Sequence, residues 1–118
     1  MDAAVTPPEL LSLYNNNNTP APLIIDVRRD AAFLSAPDLI AGALRRDPEK
    51  IANWSGELPQ ATRIVVYCVH GHEVSQGAAR TLREHGFQAQ FLEGGIEAWR
   101  AAGGKLAANP DYTSRKQP

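Results

Sequence analysis

The chain has a single cysteine, Cys68, and the residues around it suit chemistry at sulfur or on an oxyanion: Tyr67-Cys68-Val69-His70-Gly71-His72-Glu73-Val74-Ser75-Gln76-Gly77-Ala78-Ala79. The order reads as a cysteine ending an apolar strand, then a loop, then a helix start rich in small residues. A loop curling around the sulfur can aim successive backbone N–H groups inward, and the helix start adds unpaired donors and a positive dipole end. Those surroundings favour a thiolate, the form that attacks a sulfur donor and then carries sulfur as a persulfide. Gly71 gives the loop access to backbone angles closed to other residues, and Gly77, Ala78 and Ala79 are expected to let the helix approach the sheet closely. The competing reading is a buried small hydrophobe, the commoner fate of a lone cysteine at a strand end.

Two histidines stand in the same loop. His70 and His72 suit a pH-sensitive donor to an oxyanion or a proton shuttle as sulfur leaves, with His72 the more functional of the two. The alternative is a pair of solvent-facing side chains. Zinc is a poor fit, because Cys68, His70 and His72 offer three ligands with no fourth nearby, so neither a metal nor a cofactor is expected. His85, before Gly86 at a helix end, suits the helix dipole without any function.

These residues need a scaffold, and the apolar pattern supplies one. Leu23-Ile24-Ile25-Asp26-Val27 and Arg63-Ile64-Val65-Val66-Tyr67-Cys68 are nearly continuous apolar runs, as in strands covered on both faces, and Gln88 to Leu92 reads as a third. Between them lie helical segments: one capped by Thr6 with Pro7 in its first turn and Leu10, Leu13 and Tyr14 on one face; a short one near Asp30 to Leu34; one opened by Asp47 and Pro48; one from about Ser75 to His85; and one from Ile96 to Ala102. Gly86 and Gly103 should stop the last two. The alternation predicts a compact α/β domain with a mainly parallel sheet, whose ligands sit beyond the carboxyl ends of the strands, where Cys68 falls. The Asn15 to Asn18 run with Thr19 and Pro20 reads as a turn or loop.

With 118 residues and 43% apolar content, the chain suits one domain, expected over 1–108, with a frayed polar tail over 109–118. Its 12 basic and 13 acidic residues, net −1, are spread along the sequence and disfavour nucleic acid or anionic membrane as partners. One cysteine excludes an internal disulfide, and with no secretory or membrane-spanning apolar stretch in the sequence a cytoplasmic setting is expected. Trp54 and Leu58 are read as core packing, with a cover over the site or a partner contact as the alternative.

From about Pro7 to Leu106 the sequence resembles the rhodanese family. The resemblance is carried by the Pro8-Glu9-Leu10 helix start, Ile25-Asp26-Val27-Arg28, the Ala41-Gly42-Ala43 turn, Val66-Tyr67-Cys68 and, most specifically, Leu92-Glu93-Gly94-Gly95-Ile96-Glu97-Ala98-Trp99. It implies an α/β rhodanese-like domain, with a central, mainly parallel β-sheet flanked by helices on both faces. It also implies a sulfurtransferase that moves sulfane sulfur from a donor such as thiosulfate to a thiophilic acceptor: cyanide, a thiol or a protein. Carried over residue by residue, Cys68 matches the nucleophile, and Val69, His70, Gly71, His72, Glu73 and Val74 match the substrate cradle. Asp26 and Arg28 match the acidic and basic positions after the first buried strand, expected to tie loops together rather than to do chemistry.

The departures point to a rival. Many small members read Cys-x-x-Gly-x-x-Ser-x-x-Ala-Ala, whereas Ser75, Ala78 and Ala79 fall one position later here, so the loop reads as one residue longer. Within this fold a longer loop goes with dual-specificity phosphatases of cell-cycle control and with arsenate reductases, whose cradle fits a tetrahedral oxyanion. Those enzymes end the loop on an arginine that clamps the oxyanion, and Val74 stands there instead, beside an acidic Glu73. A third reading is a catalytically idle sensor or interaction module, against which the retained cysteine argues. Asp38-Leu39-Ile40 replaces the family's usual Gly-His-Ile, with an effect expected on packing alone. Since there is no second cysteine, turnover of a persulfide needs an outside thiol, cyanide or partner protein.

Overall fold

The computed structural model describes residues 3–15 and 20–113. Of the turn or loop expected over Asn15 to Pro20, residues 16–19 lie outside the described residues, as does the last part of the expected tail, 114–118, and Asn15 proves to be the last residue of the first helix. In chain order the elements are β1 (Ala4–Val5), α1 (Pro7–Asn15), β2 (Leu23–Asp26), α2 (Asp30–Leu34), β3 (Asp38–Ile40), β4 (Leu44–Arg45), a 3₁₀ turn (Pro48–Lys50), α3 (Ile51–Trp54), a second 3₁₀ turn (Ser55–Glu57), β5 (Arg63–Tyr67), α4 (Glu73–Glu84), β6 (Gln88–Leu92), α5 (Gly95–Ala101) and β7 (Leu106–Ala108).

Five strands form one sheet in the order β1-β6-β5-β2-β4, every neighbouring pair parallel, while β3 and β7 pair antiparallel in a separate two-stranded ribbon. The alternation of side chains along β5 divides the core in two. Ile64 and Val66 join Ile25, Val27, Trp54, Ala78, Ala79 and Leu82 on the face covered by α3 and α4. Val65 and Tyr67 point the other way, to Leu10, Ile24, Ile96 and Trp99 under α1 and α5. A strand covered on both faces explains the unbroken apolar run in β5. The expected architecture is therefore the observed one.

Local signals set several boundaries. Thr6 and Glu9 form a reciprocal capping box, with Thr6 N–H donating to Glu9 Oε1 at 2.9 Å and Glu9 N–H to Thr6 Oγ1 at 3.3 Å. Asp47 accepts from Glu49 N–H at 2.9 Å, but the segment it opens is a 3₁₀ turn running into a four-residue helix. Gly86 and Gly103 end α4 and α5 with φ of +93° and +82°.

Three expectations need correction. Asn109 does not begin a frayed tail: it is buried, its side-chain amide donates to the Phe33 and Ala36 carbonyls at 2.8 and 2.9 Å, and Thr113 N–H reaches Leu34 O. Polar composition concealed a segment whose polar groups are consumed internally. Asp38-Leu39-Ile40 does more than pack, since it forms β3, and the Asp38 carboxylate holds Arg100 through two hydrogen bonds of 2.7 and 2.9 Å. Gly77 is not a close-approach glycine: a Cβ there would meet nothing within 4 Å, and it is the buried Ala78 and Ala79 that let α4 lie on the sheet.

Trp54 is buried in the α3–α4 core with Leu58 packed against it, and its indole N–H donates to Asp47 O. Among the described residues no helix is long and apolar enough to cross a membrane.

Candidate active site

The site is assembled by strand register. β2 and β5 are neighbours with Asp26 level with Tyr67, and Val27 N–H donates to Tyr67 O beyond the last paired residues. The chain segments leaving the carboxyl ends of these two strands, Val27 to Arg29 and Cys68 to His72, therefore run side by side.

Beneath them lies a closed polar cluster. The Arg28 guanidinium, 2% exposed, donates to both oxygens of fully buried Asp26 at 2.6–3.0 Å and to Asp38 O at 3.1 Å. Tyr67 O–H donates to Asp26 Oδ2 at 2.9 Å, and the same phenol oxygen accepts Ile40 N–H at 3.1 Å. Burial pulls the Arg28 pKa down, but the hydrogen bond and charge of Asp26 more than offset it, and the net direction is upward. Burial, and then the Asp26 charge, hold the Tyr67 phenol well above its ordinary value of 10.0. Arg28 also lies over the rings of Phe33 and Tyr67, at 5.5 and 5.7 Å. With Nε and Nη2 donating to Asp26 and Asp38, Arg28 ties β2 to β3, and Tyr67 joins β5 to them through Asp26, below the cavity that Arg28 helps to line.

Cys68 is largely buried and follows β5 directly. Its thiol donates to Ser75 Oγ at 3.1 Å, and with a thiolate the direction reverses, the hydroxyl becoming the donor. Val69 to His72 form the loop; the helix begins earlier than the sequence pattern suggested, so Glu73 and Val74 sit on the first turn of α4 rather than in the loop. A four-residue connection already lets the backbone turn into α4, and Glu73 suits a first helical turn.

The far side of the loop rests on α5. Ile96 N–H and Glu97 N–H donate to the carbonyls of Cys68 and Val69 at 3.0 and 3.2 Å, consuming two of the free amides in the first turn of that helix. The approach is so close that a Cβ on Gly95, at φ +63°, would lie 2.4 Å from Val69 O and 2.5 Å from Cys68 O. Gly71, at φ +74°, would collide with Gly94 N at 2.6 Å. Gln76 completes the clamp, its amide donating to Gly71 O at 2.9 Å.

A cavity of about 220 Å³ opens over the sulfur, lined by Cys68, Val69, His70, His72, Glu73 and Val74 from one side and by Arg28, Arg29 and Ala32 from the other. The sequence-predicted cradle residues thus gather around one space, except Gly71, which faces Gly94 and Gly95 and lies outside the lining. Asp26 lies below, held by Arg28 and Tyr67. The rings of His70 and His72, both exposed, are 6.1 Å apart, and among the described residues no three His, Cys, Asp or Glu side chains converge as a metal site.

A family model for the rhodanese-like domain matches residues 6–102. The chain belongs to the rhodanese-like domain family. Among curated relatives of this rhodanese-like domain is the thiosulfate sulfurtransferase GlpE of Coxiella burnetii, 35% identical over 80 residues that span 67% of this chain and 72% of the relative. The solution structure of the rhodanese-like domain of the Anabaena sp. Alr3790 protein superposes with a TM-score of 0.78 at 28% identity, covering 100% of this chain and 88% of that one. A Rhodopseudomonas palustris protein of unknown function, described as a possible tyrosine phosphatase, superposes with a TM-score of 0.74 at 25% identity over 88% of this chain and 83% of that one.

Sequence reasoning passed over four residues of this rhodanese-like site. Ser75 was visible as part of the motif, but its contact with the sulfur needs the first turn of α4 in place. Gly94 and Gly95 were visible as a family signature, while their role as the bed of the cysteine loop depends on α5 meeting β5. Arg29 carried no signal beyond its charge.

Proposed function

We propose that this protein is a sulfurtransferase that takes sulfane sulfur from thiosulfate and passes it to a small thiophilic acceptor through a persulfide on Cys68. The observation that carries this reading is the Cys68 sulfur itself, 3.1 Å from a buried hydroxyl, on a loop clamped from behind, under a cavity with room for several water molecules at roughly 30 Å³ each. The similarity to GlpE adds support.

In the first step the Cys68 thiolate attacks the outer sulfur of thiosulfate. A Cys–S bond to that sulfur forms, the bond to the sulfonate sulfur breaks, and sulfite departs with the bonding electron pair. The persulfide anion keeps the charge the thiolate had. In the second step cyanide attacks the terminal sulfur, leaving as thiocyanate and restoring the thiolate. Ser75 O–H is placed to donate to the anionic sulfur at the start and end of the cycle. The backbone amides from Val69 to His72 in the loop and of Glu73 and Val74 at the start of α4 are assigned to the persulfide, and His72 to proton exchange at the acceptor stage.

The rival chemistry is oxyanion hydrolysis or arsenate reduction, favoured by the longer cysteine-to-serine spacing. It lacks a loop arginine, with Val74 on α4 and Glu73 adding negative charge at the cavity. Assay of thiocyanate formation from thiosulfate and cyanide, beside release of phenol from aryl phosphates, decides between them. Turnover of the first kind alone, abolished in Cys68→Ala, is expected; phosphate release without thiocyanate would reverse the ranking.

A further inference from the structure

Thiosulfate would bring two negative charges into the cavity over Cys68, yet the cysteine loop holds no arginine or lysine and Glu73 lines the cavity from the first turn of α4. We propose that Arg29, contributed by the neighbouring β2–α2 connection, is the residue that binds the anionic end of the incoming donor; in its application to thiosulfate this rests on the transferase reading. Two arginines line that cavity, and they are in different situations. Arg28 is buried, its Nε and Nη2 donate to Asp26 and Asp38, and its charge is matched by the Asp26 carboxylate. The Arg29 side chain is exposed, lines the cavity, and makes no hydrogen bond or ion pair with the described residues, so its charge is free to meet an incoming anion.

The nearby acids explain why it stays free. Asp26 is held by Arg28, and the Asp30 carboxylate, next in sequence, is taken by Arg45 at 2.8 Å. Glu73, which lines the same cavity, forms no ion pair with Arg29 within 4.0 Å among the described residues. Arg29, Glu73 and Val74 also line a second cavity of about 260 Å³ beside the first, with Pro48, Glu49, Ile51 and Arg80, so Arg29 stands on the divide between the two. A planar guanidinium can offer two parallel N–H donors to two sulfonate oxygens, leaving the outer sulfur directed at Cys68. As the S–S bond breaks, the charge gathers on departing sulfite, the fragment Arg29 would hold.

The test separates anion binding from turnover. Alkylation of Cys68 by iodoacetate, an anion, and by iodoacetamide, its neutral analogue, is timed in the wild type and in Arg29→Gln, Arg29→Lys and, as a control, Arg80→Gln. The iodoacetate-to-iodoacetamide rate ratio is expected to fall about fivefold in Arg29→Gln, less in Arg29→Lys and not at all in Arg80→Gln, with the effect fading at high salt. The KM for thiosulfate should rise by a similar factor in Arg29→Gln with that for cyanide unchanged. An unaltered alkylation ratio in Arg29→Gln would overturn the assignment. If the ratio falls but the wild type moves no sulfur, the anion site stands and the transferase reading is what fails.

Discussion

Cys68 Sγ and Ser75 Oγ stand 3.1 Å apart, the first just past the end of β5 and the second fully buried on the first turn of α4. A hydroxyl that donates to a thiolate supports the charged form, and a hydrogen bond to a charged group contributes about 1.5–3 kcal/mol. Ser75→Ala should therefore slow sulfur loading from thiosulfate by about tenfold or more, measured by single-turnover sulfite release, with the fold intact by circular dichroism. An unchanged loading rate would show that the contact does not serve the chemistry.

The loop and its bed give a paired prediction. Gly95→Ala puts a methyl group into the carbonyls of Cys68 and Val69 at a positive φ, and should abolish sulfur loading or folding. Gly77→Ala, inside α4 with open space around it, should raise stability by about 0.5–1 kcal/mol through helix propensity while loading continues. Thermal melts and loading assays on both variants provide the check, and equal effects would refute the geometry.

Tyr67 offers a pH signature. Its phenol is held above 10.0 by burial and by Asp26, so the folded state keeps the proton that the unfolded chain releases. The stability this group contributes is fully present below about pH 10 and is lost as pH climbs toward the raised folded value. Urea midpoints of the wild type should thus decline above pH 10. Tyr67→Phe should be less stable at pH 7 by about 1–3 kcal/mol, because Ile40 N–H and Asp26 each lose a partner, yet show a shallower alkaline decline. Parallel curves for the two proteins would contradict the assignment.

What could be read from the sequence follows from the range of the interactions involved. β2 and β5 announced themselves because strands covered on both faces need nearly continuous apolar runs, β6 was read as a third strand although Gln88 and Gln90 interrupt it, and the expected limits of all three fall within one residue of those observed. Strands of two or three residues, such as β1, β4 and β7, were invisible: their existence depends on the edge they pair with, not on their own composition. The same division holds at the site. Cys68 and its loop were legible from a contiguous motif. The union of Asp26, Arg28 and Tyr67 depends on the β2–β5 register, Ser75 on the earlier start of α4, and Arg29 on which loop lies opposite the cysteine. Asn109 was misread because a polar residue satisfied by two buried carbonyls has the same letter as one in solvent.

The most direct test of the central claim is the intact mass of the protein before and after thiosulfate and then cyanide, beside a Cys68→Ser control. The account requires a gain of one sulfur atom with thiosulfate and its loss with cyanide, in the wild type alone. A wild-type mass that never changes, or a gain that persists in Cys68→Ser, would contradict it.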